Sequence, residues 1–238
     1  GSEVEAMRET KNGEHTLNYA PEIDFTEATS KLKVVVSDGR EGKEAIGYVK
    51  AYVNMDVATL NVGSQPLANN AHVKYPDAFG MVSLNDLKTY SVDYAIANEA
   101  NAKNIDFKFY CFGASGSPRL YSMDNTGKDG EFSGSTGKLS AIKVKNLTRF
   151  AILSNFDYEN ATVASISSEI LSSSIAQSLL DPIAVGNVIA FRTGGSSAAG
   201  GGRIGVMKVI NITEPKELVS NNATARVMTV EIKFPKKK

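Results

Sequence analysis

The sequence predicts a mostly β or α+β protein, in which a small, sandwich-like immunoglobulin-type module precedes an antiparallel-sheet domain with two helices. Three observations indicate this class. Several segments alternate apolar and polar residues with a period of two, as half-buried strands do. Two other segments repeat apolar residues at helical spacing. Stretches rich in Gly, Asn, Asp and Ser separate these segments and mark turns and loops.

Composition divides the chain of 238 residues into three parts. Residues 1–20 are polar and predict a flexible leader, because such a segment buries too little apolar surface to fold by itself. Residues 21–74 contain β-branched runs at 31–37 and 45–54, and they predict a small all-β, immunoglobulin-like module. Residues 75–238 mix strand and helix patterns and predict an α+β domain.

Two helices are expected in the α+β domain. The first covers residues 90–104, where Ser91 is a candidate N-cap, Ala-rich helix formers follow, and Asn104 suits the end of the helix. The second covers residues 165–180, where apolar residues fall at helical spacing. The dipeptide Asp181-Pro182 ends it, because the residue before a proline avoids helical geometry.

A strand is expected directly after the first helix, over residues 105–112. Its apolar residues share one face, and Asp106, Lys108 and Tyr110 share the other. The next stretch, residues 113–137, is polar and rich in Gly and Ser, and it predicts a long loop.

The last third of the chain predicts a β-hairpin and a closing strand. Residues 188–193 and 204–210 form the hairpin, and residues 226–234 alternate as a half-buried antiparallel strand. Residues 200–205 match the spacing G-x-G-x-x-G of dinucleotide-binding loops. That chemistry needs a helix to begin there, whereas a strand is predicted, so we interpret the stretch as a flexible hairpin loop and expect no cofactor.

Charge and rare residues exclude several functional classes. Lys+Arg 26 and Asp+Glu 26 give zero net charge, so the basic excess of a nucleic-acid-binding protein is missing. Cys111, the single cysteine, offers neither an internal disulfide nor zinc-ligand spacing. The two histidines, His15 and His72, stand in no recognisable catalytic motif. No catalytic residue is therefore predicted, and the chain is not expected to be an enzyme.

The oxygen-rich stretch 124–131 is the one candidate metal site. Asp124, Asp129 and Glu131 are its carboxylates, and calcium takes six to eight oxygen ligands. Lys128 stands among them and breaks the order of an EF-hand loop, so a solvated loop is the favoured interpretation and a weak cation site the alternative.

Two tyrosines flank the predicted polar loop and are candidates for ligand contact. Tyr110 precedes the loop, and Tyr121 lies just before its acidic stretch. A tyrosine offers a flat apolar face and a hydroxyl group, which suits stacking on sugars. Packing in the core is the favoured interpretation for each ring, and ligand contact is the alternative.

The order of these segments resembles uncharacterised surface lipoproteins of Bacteroides-type bacteria, over about residues 75–238. In that family a C-terminal hairpin of the form VGDVIAFKT…G..G..KV recurs, and here Asn187 replaces the usual Asp and the glycine loop is longer. The segments that carry the resemblance are 79–90, 105–110, 148–150, 185–193, 205–209 and 230–233. The resemblance implies export, a lipid anchor upstream of this chain, and display at the outer-membrane surface. It supplies no catalytic residues.

The leading functional hypothesis is a non-enzymatic binding protein displayed at the cell envelope, which binds a glycan or another envelope protein. The first alternative is a structural subunit, fimbria-like or from a surface layer, because exposed strand edges accept strands of other chains. The second alternative is a hydrolase with a carboxylate pair. Its candidate acids are Asp106, Asp124, Asp157 and Glu159.

Overall fold

The computed structural model describes residues 29–37, 44–52, 54–111, 116–213 and 225–237, and for the first two ranges it describes the backbone. The predicted leader, residues 1–20, lies outside this part of the chain. No helix of the described residues is long and apolar enough to cross a membrane.

Twelve strands and three short α-helices make up the described residues, together with four 3₁₀ turns. The strands are β1 (Thr29–Ser37), β2 (Glu44–Tyr52), β3 (Met55–Gly63), β4 (Met81–Ser83), β5 (Lys88–Tyr90), β6 (Phe107–Tyr110), β7 (Arg119–Ser122), β8 (Arg149–Leu153), β9 (Leu179–Leu180), β10 (Val188–Arg192), β11 (Ile204–Ile212) and β12 (Val227–Pro235). The helices are α1 (Val92–Ala97), α2 (Glu99–Lys103) and α3 (Val163–Glu169).

Two five-stranded antiparallel sheets form the body of the protein. The first sheet has the strand order β3-β12-β11-β10-β8, and the second has the order β5-β4-β6-β7-β9. Strands β1 and β2 pair with each other in a separate two-stranded sheet. This architecture confirms the predicted mostly β, α+β class with few helices.

The largest hydrophobic cluster combines side chains of both sheets, so the main core lies between them. Phe107 of the second sheet meets Phe150 of the first in a T-shaped contact, with ring centroids 5.8 Å apart. The predicted closing strand is confirmed as β12, whose Val230 and Ile232 enter this core. Its opposite face is covered as well, since Lys233 is fully buried and donates from Nζ to the backbone oxygen of Tyr158 at 2.6 Å.

The first predicted helix is confirmed but is split in two. Ser91 caps α1 by accepting a hydrogen bond from the backbone of Tyr94. Asn98 then has extended backbone geometry, and its side chain caps α2 by accepting from the backbone of Asn101. An internal cap residue of this kind competes with helix continuation, so the helix restarts there. Asn104 follows α2 as its C-cap, as predicted.

The second predicted helix, 165–180, is confirmed only at its start, because α3 ends at Glu169, and the rest of the prediction is wrong. Helix α3 is short, because three consecutive serines follow at Ser172–Ser174 and form a 3₁₀ turn. The hydroxyl of Ser174 donates to the backbone oxygen of Leu171 at 2.7 Å, which is the local bonding that makes serine a poor helix former. Leu179–Leu180 is strand β9, which pairs with β7.

Two further expectations about organisation need correction. Strand β3 falls inside the predicted module 21–74, yet it pairs with β12 along its whole length. The side chains of Ala58, Leu60 and Val62 pack in the main core, so strand pairing and packing both join β3 to residues beyond the predicted boundary. The stretch 113–137, predicted as a loop, contains β7, whose Leu120 and Tyr121 are buried.

We expect Gly205→Ala to weaken the fold, because a side chain there has no room. A Cβ atom at Gly205 would lie 2.8 Å from the ring of Phe234 and closer still to that of Phe191. Overpacking a core typically costs about 1–3 kcal/mol in the free energy of unfolding. Gly130→Ala is the control, since no atom lies within 4 Å of a Cβ there. Equal denaturation midpoints for the two variants would contradict the described packing.

Candidate functional site

The two predicted ligand-stacking tyrosines lie in the core. Tyr110 is 4% exposed and Tyr121 is 5% exposed, and their rings form a T-shaped contact with centroids 5.9 Å apart. They pack with Phe132, because residues 123–148 fold back over this face of the second sheet. The hydroxyl of Tyr110 donates to Glu131 at 2.6 Å. Both rings therefore pack in the core, as the favoured interpretation had it, and protein covers their faces, so they do not form a surface on which a ligand could stack.

The predicted cation ligands face three different sets of partners. Asp124 receives two hydrogen bonds of 2.8 Å each from the guanidinium group of Arg149. Asp129 lies between two lysines, and Glu131 pairs with Lys128 at 2.7 Å. No group of three His, Cys, Asp or Glu side chains suited to a metal ion occurs in the described part of the chain. The three carboxylates, which the alternative interpretation assigned to a weak cation site, are thus engaged in separate ion pairs within the protein.

Two further acids of the hydrolase hypothesis, Asp157 and Glu159, lie in the turn before α3. The side chain of Asp157 accepts hydrogen bonds from Asn160, from its backbone at 3.1 Å and its amide at 2.8 Å. Glu159 pairs with Lys208 of β11 at 2.6 Å. Asp106, in contrast, is fully buried. The structure therefore engages these carboxylates in separate interactions.

A buried ionic centre lies at the middle of the second sheet. The side chain of Lys108 is fully buried, and its Nζ donates to Asp129 at 2.6 Å and to the backbone oxygen of Asn125 at 2.9 Å. Lys145 reaches the other oxygen of Asp129 at 2.6 Å. Burial lowers the pKa of Lys108, while the charge of Asp129 acts in the opposite direction. Sequence alternation identified Lys108 as polar but gave no sign that its face is covered.

A second buried polar centre joins the two sheets through Asp106. Its carboxylate accepts from the backbone N–H of Leu84 at 2.8 Å and from the hydroxyl of Ser197 at 2.6 Å. Ser197 belongs to the loop between β10 and β11, and the adjacent Ser196 donates to Asn146 at 2.7 Å. Burial raises the pKa of Asp106 to about 7, although these hydrogen bonds oppose the shift. The loop predicted to be flexible is thus docked on the second sheet.

An open cleft of about 630 Å³ lies between α3, the turn 200–202 and the end of β12. Arg203 is its most constrained cation, since its guanidinium group lies 4.0 Å from the ring centre of Phe234. The same group donates to the backbone oxygens of Ala199 and Pro235. These contacts hold the loop to β12, so Arg203 has a structural role in this cleft.

A partly exposed pair of tyrosines lies where β5 meets α1. The rings of Tyr90 and Tyr94 are stacked, with centroids 4.0 Å apart and planes inclined by 18°. The hydroxyl of Tyr90 donates to Asp86 at 2.6 Å, and the amide of Asn104 donates to the hydroxyl of Tyr94 at 3.1 Å. Asn104 also donates to Asp86. We call these four residues, Asp86, Tyr90, Tyr94 and Asn104, the tyrosine surface.

Charge and hydrogen bonding fix the polar groups of the tyrosine surface. Burial acts to raise the pKa of Asp86, but hydrogen bonds from Tyr90, Asn104, Asn85 and Ser83 outweigh it and lower that pKa. The hydrogen bond to Asp86 is the main cause that raises the pKa of Tyr90, with burial second. Asp86 is therefore an ionised acceptor and Tyr90 a neutral donor at physiological pH.

Local sequence patterns do not predict this surface. Its one signal is the spacing of Asp86, Tyr90 and Tyr94, four residues apart at each step. That spacing extends before the predicted helix 90–104, within which Tyr94 is an ordinary helical position. Only the fold brings the end of β5 against the first turn of α1 and stacks the rings.

Comparison with known proteins gives one structural similarity. No protein-family model matches the chain, and no curated protein matches it. The fold is similar to the crystal structure of a DUF4466 family protein from Parabacteroides merdae, with 14% sequence identity and a TM-score of 0.46. The match covers 80% of this chain, which spans 58% of that protein.

We expect Lys108→Met to destabilise the protein strongly, because it leaves Asp129 buried with one of its two cations missing. Breaking a buried ion pair from one side costs about 3 kcal/mol or more. Lys103→Met is the matched control, since Lys103 pairs with Glu99 at the surface, where such pairs contribute about 0.5 kcal/mol. Urea denaturation measures both, and equal losses would contradict the burial of Lys108.

The raised pKa of Asp106 predicts a specific pH dependence of stability. Its ordinary value is 3.8 and its folded value about 7, so between these values the folded protein keeps a proton that the unfolded chain releases. Ionisation then favours unfolding, and the free energy of unfolding falls by up to about 1 kcal/mol per pH unit. Asp106→Asn removes this contribution.

The measurement for Asp106 is urea denaturation of the wild type and of Asp106→Asn between pH 4 and pH 7, the interval bounded by the two pKa values. We expect the stability of the wild type relative to the variant to fall as the pH rises. A difference that does not change with pH would show that Asp106 ionises as readily in the folded state as in the unfolded state.

Proposed function

We propose that the chain is a non-enzymatic binding module displayed at the cell envelope, and that it binds a neutral glycan at the tyrosine surface. The observation that carries the proposal is the partly exposed stack of Tyr90 and Tyr94, with the ionised carboxylate of Asp86 held at its edge. Display at the envelope rests on the resemblance of residues 75–238 to surface lipoproteins of Bacteroides-type bacteria.

The chemistry of the tyrosine surface suits a sugar. The C–H face of a pyranose ring packs against the flat face of a tyrosine, and sugar hydroxyls hydrogen-bond carboxylates and amides. Asp86 supplies acceptor oxygens, and Asn104, whose amide already donates to Asp86 and to Tyr94, holds these two side chains in position. The negative charge of Asp86 disfavours anionic sugars, so a neutral glycan is the proposed ligand.

The surroundings of the candidate acids support binding over hydrolysis. A glycosidase needs two carboxyl groups facing one substrate bond, about 5–10 Å apart. Asp124 is held by Arg149, Glu159 by Lys208, and Asp106 is enclosed between the sheets. Each of these carboxylates is therefore already engaged in an interaction within the protein.

The direct test is a glycan array probed with the purified chain, with and without a chelator. We expect binding to neutral glycans that a chelator leaves unchanged, because Asp124, Asp129 and Glu131 are engaged by cations of the protein itself. An array without neutral-glycan binding would overturn the proposal, and binding lost on chelation would restore the acidic stretch as a site.

Substitutions then locate the binding surface. Tyr94→Ala removes one ring of the stack, and we expect affinity for an array hit to fall about tenfold, equivalent to about 1.4 kcal/mol. Tyr90→Phe keeps both rings and tests the hydrogen bond to Asp86. Phe156→Ala is the matched control, since it removes a partly exposed aromatic ring that packs on a different cluster. Calorimetry with equal affinities for Tyr94→Ala and Phe156→Ala would move the site elsewhere.

A further inference from the structure

Strand β3 is an open edge of the first sheet. It is the terminal strand of that sheet and pairs with β12 on one side only. The opposite terminal strand, β8, is partly closed, because Phe150 exchanges two backbone hydrogen bonds with Gln177. Strand β2 is hydrogen-bonded to β1 in a separate sheet and leaves this edge uncovered in the described structure.

The pairing register shows which backbone groups of β3 face outward. Next to the two ends of the β3–β12 ladder, Ser64 donates to Arg226 and Lys236 donates to Asn54. Backbone bonds to one neighbour recur at every second residue of an antiparallel strand, so the even-numbered residues of β3 bond β12. The odd-numbered residues point away, and Gly63 confirms this by donating outward to Phe79.

Three outward-facing residues remain without a backbone partner among the described residues, namely Val57, Thr59 and Asn61. The edge also lacks the usual protection against strand addition. Residues 55–63 contain no proline and no lysine, and their single charge, Asp56, lies near one end. Val57 is 36% exposed and Thr59 is exposed as well, so solvent reaches this part of the strand.

We propose that β3 pairs with β3 of a second copy of this chain, antiparallel across a twofold axis, which joins two first sheets into one. The free odd-numbered residues must oppose each other in such a pair. The register centred on Thr59 opposes the two threonines and sets Val57 against Asn61 of the partner subunit. Threonine pairs are favourable across antiparallel strands, and Asp56 faces Val62 of the partner subunit, so no like charges meet.

A second copy is the occupant that best fits this edge. A twofold contact uses the same surface on both subunits, and the edge is self-complementary in charge and in hydrogen-bonding groups. The nearest strand in the sequence, β2, ends at Tyr52, only three positions before β3 begins, yet it pairs with β1. The contact is independent of the tyrosine surface, so failure of one proposal leaves the other standing.

Light scattering across a wide range of protein concentration tests the proposal, with Thr59→Pro and Thr59→Val as a matched pair. Proline removes an N–H group that faces outward and is not used by β12, so it is tolerated on the edge of the folded monomer. Valine keeps that N–H group and the strand preference. We expect a concentration-dependent dimer for the wild type and Thr59→Val, and at least about tenfold weaker dimerisation for Thr59→Pro.

Hydrogen exchange of the wild type tests the same contact without a substitution. We expect the amides of Val57, Thr59 and Asn61 to exchange more slowly as concentration rises, while that of Leu60, which bonds β12, is protected throughout. A monomer at every concentration, or a dimer that Thr59→Pro leaves intact, would overturn the proposal. Protection of Val57 and Thr59 that does not change with concentration would mean that the chain covers its own edge, which also overturns it.

Discussion

Strand β6 is covered on both faces, and the rest of the structure follows from that constraint. Its apolar residues enter the core between the sheets, while Lys108 and Tyr110 of the strand, and Asp106 directly before it, are also buried. A buried polar group costs several kcal/mol unless it finds a partner. The chain therefore brings Asp129 to Lys108, Glu131 to Tyr110 and Ser197 to Asp106.

These partners come from two segments that otherwise have little reason to be ordered. The polar stretch 123–148 supplies the acids and folds back over the second sheet, where Phe132 and Leu139 fill the cluster around Tyr110. The glycine-rich loop before β11 supplies Ser197, and its Ser196 donates a hydrogen bond to Asn146. The partners of the polar groups at β6 thus cover the outer face of the second sheet and link the two sheets. The stacked tyrosines where β5 meets α1 remain partly exposed to solvent.

Caps, helix ends and hairpins could be predicted from the sequence, because they depend on residues close to one another along the chain. The N-cap at Ser91, the end at Asn104 and the hairpin of β10 and β11 follow from side chains acting on their own backbone or from period-two alternation. The burial of Lys108 and Lys233 could not be predicted, because alternation separates two faces without showing what covers the polar one. Alternation likewise gave no sign of what covers Tyr110, and Tyr121 lay in a stretch predicted to be a loop.

The pairing of β3 with β12 has a consequence for the order in which the chain is made. Val62 of β3 lies opposite Met228 of β12, so the ladder of β3 cannot form until β12 has been made. Contacts this distant in sequence close slowly, and unpaired strands attract other chains meanwhile. During synthesis, β3 therefore leaves the ribosome long before β12 does, and its backbone groups have no partner in this sheet until β12 follows.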